Sequence, residues 1–129
     1  MSAKKFIKVC IRKTGYHDWP HNTDQELTDF FKRDDPSYSE DFLGHPHRHM
    51  FHFWIMLEVN DIEEINYIQF KRWMINIYKY ANLDINNRSV EQLAEELRDA
   101  ILEKYPGREL RLEILEDLEN GCYIEYKPE

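Results

Sequence analysis

Along this chain, stretches in which apolar and polar side chains alternate give way to stretches in which apolar residues recur every three to four positions. Residues 5–13 (KFIKVCIRK) set Phe6, Ile7, Val9 and Ile11 among cations, a partly alternating pattern that predicts a first strand. Residues 47–59 (HRHMFHFWIMLEV) contain neither Gly nor Pro and predict a second. Strand side chains alternate, so His47, His49, Phe51, Phe53, Ile55, Leu57 and Val59 share one face. Arg48, Met50, His52, Trp54, Met56 and Glu58 share the other. The histidine pair therefore continues a core-facing row.

Helical spacing takes over further on. Phe70, Trp73, Met74 and Ile77 predict a helix over residues 67–81. The next is marked at both ends: Ser89 is an N-cap with Gln92 three residues on, Leu93, Leu97, Ala100, Ile101 and Tyr105 form its apolar stripe, and Pro106-Gly107 stops it. Residues 109–127 (ELRLEILEDLENGCYIEYK) read as a hairpin turning at Asn120-Gly121. The order is strand, strand, helix, helix, strand, strand. It implies an α+β domain, a four-stranded antiparallel sheet with two helices on one face. Residues 14–46, with Gly15, Pro20, Pro36, Gly44 and Pro46, lack a sustained period and read as a long insertion-like connection holding a short helix over 24–33. So long a connection in a small domain is a sign of functional use.

Composition narrows the function classes. A chain of 129 residues forms one domain that buries a core without disulfide or metal staples, so a metal here would be functional. The excess of 25 acidic over 17 basic side chains, net charge -8, argues against nucleic acid as a partner. Two distant cysteines and an N-terminus without an apolar signal region predict a cytoplasmic protein. No apolar run approaches the roughly 20 residues of a membrane span, so no membrane partner is expected.

The histidines are unevenly placed. Five of the six lie between positions 17 and 49. On one strand face, His47 and His49 project side by side and can chelate one metal ion if a third ligand arrives from elsewhere. His17, just past the first predicted strand, is the candidate third ligand; three histidines with an open fourth position make a catalytic type of zinc site. The plainer reading of the pair is a polar rim on the sheet. His21, His45 and His52 read as surface or packing residues, and Cys10 and Cys122 as small buried hydrophobes. Glu116 ends the core-facing row of Leu110, Leu112 and Ile114, where a carboxylate needs a donor-rich partner such as the amino-pyrimidinone edge of a pterin or guanine. A strand end frayed into solvent is its alternative. Glu91 favours the helix dipole.

Together these residues resemble the 6-pyruvoyl tetrahydropterin synthase and 6-carboxytetrahydropterin synthase family of the tunnelling fold. The likeness rests on the element order, on His47-Arg48-His49 at the head of the second strand, on Ser89-Val90-Glu91-Gln92-Leu93-Ala94 opening a helix, and on Leu112 to Glu116 followed by Tyr123. It implies zinc on His17, His47 and His49, with Arg48 where the family has glycine. It also implies a pterin-like heterocycle anchored by Glu116, and a ring-type homo-oligomer with sites between subunits. The family's cysteine position reads Phe42-Leu43-Gly44-His45, its Asp-Phe reads Gln69-Phe70, and its Asp-His region reads Leu83-Asp84-Ile85-Asn86 without histidine. Without those acid-base groups, the alternative to a lyase is a catalytically inactive homo-oligomer that binds a ligand or a protein.

Overall fold

The computed structural model describes residues 3–17, 25–37, 47–61, 64–77, 83–86 and 89–129. Its elements run β1 (Lys5–His17), α1 (Gln25–Asp34), β2 (His47–Val59), α2 (Tyr67–Ile77), β3 (Leu83–Asn86), α3 (Val90–Lys104), β4 (Leu110–Glu116) and β5 (Asn120–Tyr126). This α+β architecture adds two elements to the expected order: the short helix read over 24–33 forms as α1 between β1 and β2, and an unexpected short strand separates α2 from α3. The sheet is ordered β3-β1-β2-β4-β5. Its four longer strands are antiparallel, whereas β3 lies parallel to the end of β1, pairing Leu83 with Gly15 and Asp84 with Tyr16.

β2 organises the core because both of its neighbours are long. Phe51, Phe53, Ile55 and Leu57 are fully buried, flanked by Val9 and Ile11 of β1 and by Leu110, Leu112 and Ile114 of β4. Phe70 and Met74 of α2 join this cluster with Leu93, Leu97 and Ile101 of α3, so both helices cover one sheet face. α3 starts where its capping box puts it. The Ser89 hydroxyl accepts from the Gln92 N–H at 3.2 Å, and the Gln92 side chain accepts from the Ser89 N–H at 2.9 Å. On the opposite sheet face, the Lys8 ammonium sits 5.0 Å from the centre of the Trp54 ring and the Arg111 guanidinium 4.3 Å from that of Phe6. Among the described residues, no helix is long and apolar enough to cross a membrane.

Three boundaries move. β1 runs four residues beyond its predicted end, so Thr14 to His17 belong to the sheet and not to the connection. The helix expected over 67–81 is described only as far as Ile77, and residues 78–82 lie outside the described set. The hairpin does not turn at Asn120-Gly121. It turns at Asp117 and Leu118, with φ of 54° and 61°, and closes with the Glu119 N–H donating to the Glu116 carbonyl at 3.0 Å. Gly121 instead lies in β5 opposite Leu115, where a Cβ would overlap the Ile114 carbonyl.

Candidate functional site

The β1–β2 ladder places His17 directly across from His47, and His49 across from Gly15. Cross-strand partners and every second residue share a face, so the backbone puts these three histidine positions at one end of the core-facing row. The side chains of His17 and His47 lie outside the described residues, as do His21 and His45 entirely. One ladder further, Phe51 pairs with Glu116, which brings the end of β4 to the same place.

His49 is held by the hairpin turn. Its Nδ1 lies 2.7 Å from the Asp117 carboxylate, whose other oxygen accepts from the Met50 N–H at 2.9 Å. The Asp117 N–H in turn donates to the Met50 carbonyl at 2.7 Å, so the turn is fastened to β2 by backbone as well as side chain. The hydrogen bond from His49, then that from the Met50 N–H, hold the Asp117 carboxyl below its ordinary range. His49 Nε2 faces the Glu116 carboxylate at 3.7 Å, and its ring meets that of Phe51 edge-on with centres 6.0 Å apart. The cluster thus joins an imidazole to two carboxylates, each on a short tether to a rigid strand.

Asp117 is absent from the sequence-based candidates. A signal was available: Asp is among the few residues that tolerate the left-handed region and also hydrogen-bonds nearby backbone, which suits position 117 of Glu-Asp-Leu-Glu. His52 lies on the opposite face, nearly buried, in register with Arg12 and Leu115. Glu91 is exposed in the first turn of α3. Both cysteines are free and half-buried. Cys122 faces Ile114 across the hairpin, and burial first, then the charge of Glu91, push its thiol up to about 11. It is protonated at neutral pH and a poor nucleophile.

The fit of the histidines to a metal can be judged from His49. Histidines that bind metal ordinarily hydrogen-bond through their other ring nitrogen to a carboxylate or carbonyl, and Asp117 stands in that place to Nδ1 of His49. Among the described residues, no group of three or more His, Cys, Asp or Glu side chains is arranged to hold a metal ion. The β1–β2 register sets the His17 and His47 positions opposite each other, one pair beyond His49. No protein-family model matches the chain, and no curated protein matches it.

Proposed function

We propose that the hairpin end of the sheet is a zinc-dependent site for a pterin-like or related purine-derived heterocycle, in the manner of a 6-pyruvoyl tetrahydropterin synthase of the tunnelling fold. The observation that carries this reading is the 2.7 Å contact between Asp117 and His49 Nδ1, on the strand whose register pairs His47 with His17. His17, His47 and His49 would hold the ion. Bound there, zinc supplies a Lewis acid for a carbonyl or hydroxyl of the ligand side chain. Asp117 fixes the imidazole of His49 and the tautomer it presents. Glu116, at the end of the buried row, is the acceptor for a donor-rich heterocycle edge, and Phe51 beneath it excludes water from one side.

One observation favours a non-catalytic variant of the same site. Cys122 lies on the hairpin but its thiol is held protonated, and Cys10 lies on the far face of β1. A ring-forming homo-oligomer that binds a ligand without transforming it is therefore the second reading. The first reading requires the metal, so metal content is measured first. About one zinc per chain is expected, lost in His47→Ala/His49→Ala. Zinc-free native protein, or unchanged zinc in that variant, overturns the zinc-dependent reading. Pterin binding to the wild type and to Glu116→Gln comes next, and equal affinity removes the anchoring role of Glu116. Turnover of a bound pterin then separates lyase from binding module.

A further inference from the structure

Away from the hairpin end, β1 has an open side. Among the described residues, its outer edge is paired only at Gly15 to His17, by β3, which leaves residues 5–14 with alternate N–H and C=O groups directed outward. α2 runs beside this edge, and the two enclose a groove of about 480 Å³ that continues into a second of about 290 Å³ through shared Cys10, Lys71 and Ile75. The charges along it have one sign. Lys8, Arg12, Lys13, Lys71 and Arg72 line the two grooves, and no carboxylate does. In a chain of net charge -8 that is a marked sorting. Among the described residues, none of these five cations is ion-paired. The groove also exposes apolar surface: Tyr67 is 60% accessible, Ile68 54% and Ile75 48%.

We propose that the groove between β1 and α2 receives an extended acidic segment of a partner protein, which pairs its backbone with the open edge of β1 and its carboxylates with Lys71 and Arg72. Three features choose this occupant. Strand addition to an exposed edge takes its affinity from main-chain hydrogen bonds and its specificity from alternate side chains, and here both the edge and a flanking helix are present. α2 supplies both kinds of contact beside the edge: Lys71 and Arg72 stand among Tyr67, Ile68 and Ile75. Edge lysines repel other basic edges, so an acidic strand is the complement that this edge admits. A polynucleotide would use the cations but would leave the strand edge and the two isoleucines without partners.

The test uses a fluorescein-labelled octapeptide of alternating Glu and Val, with an alternating Lys and Val peptide and a single-stranded oligothymidylate of equal negative charge as controls. Polarisation should show binding of the acidic peptide alone, weakened about tenfold or more by Lys71→Glu/Arg72→Glu, two exposed helix positions whose exchange leaves the core intact. Amide exchange in β1 reports the mode, and residues 5–13 should gain protection with peptide. Ile68→Ser is the second variant; it should weaken peptide binding without changing the salt dependence. The proposal is overturned if the oligothymidylate binds as tightly as the peptide. It is also overturned if the charge-reversed variant binds normally, or if peptide binds without protecting β1. Protection of β1 that rises with protein concentration in the absence of peptide would identify a second copy as the occupant, and would overturn it too.

Discussion

The hairpin end of the sheet and the β1–α2 groove handle charge in opposite ways. At the hairpin end, Asp117 and Glu116 converge on His49, and the Asp117 carboxylate already holds two N–H groups. In the groove, five cations of one sign stand beside exposed apolar side chains and an open strand edge. Groups fastened to each other on rigid strands keep one geometry, which is what coordination of an ion or of a small heterocycle needs. Like-charged groups beside a strand edge that has no partner among the described residues present a surface that a second chain can complete. The same sheet thus offers a pre-organised site at one end of β2 and an unfinished one along the edge of β1.

The largest expected effect tests whether the first of these regions rests on the core. Phe51 is fully buried, stacks edge-on with His49 and pairs with Glu116, so it belongs both to the apolar body of β2 and to the floor of the site. Phe51→Ala should cost about 3–5 kcal/mol in urea denaturation, through lost transfer energy and the cavity left behind. It should also remove the binding assigned to the hairpin end. A loss below about 1 kcal/mol would mean that the end of the sheet is not packed on the core at all.

The fastening of His49 has a smaller and pH-dependent signature. Asp117→Asn keeps a residue that tolerates the left-handed turn but gives up the charge, and should cost about 1 kcal/mol at neutral pH. Because its partners depress the folded carboxyl below its unfolded value near 3.9, the stabilisation from Asp117 is complete above that value and disappears as pH falls through the folded one. The stability gap between wild type and Asp117→Asn should therefore close as pH falls below about 4. A gap that persists unchanged into acid would show that the charge of Asp117 contributes nothing.

These two sites differ also in how far the sequence disclosed them. β2 was readable to the residue because its apolar and aromatic run carries neither Gly nor Pro across thirteen positions, and α3 because its capping residues act locally. His47, His49 and Glu116 followed from the period-two rule alone, since each continues an apolar row. Asp117 did not, because it sits in a turn, and Asn120-Gly121 carries the stronger turn signal three residues later. Gly121 is needed instead for its close approach to the Ile114 carbonyl, a tertiary demand that leaves no local pattern. Gly15 likewise read as a break, although pairing with His49 keeps it in the ladder. β3, four residues long, owes its existence to the end of β1 and not to its own periodicity. The open edge of β1 could not be seen at all, because which strand lies outermost is a property of topology.

The smallest expected effect belongs to that edge and sharpens the contrast. Ile68 lines the groove and is 54% exposed, and Ile68→Ser replaces its apolar surface with a group that water solvates. If the groove is built for a partner, the isolated protein gives up nothing by this change, and its stability in urea should shift by no more than about 0.5 kcal/mol. Phe51, also apolar and also beside a charged cluster, is expected to cost several times more. A destabilisation by Ile68→Ser of more than about 1 kcal/mol would place Ile68 in the packed structure. The groove would then be part of the fold's own interior, and the difference between a finished and an unfinished region of this sheet would vanish.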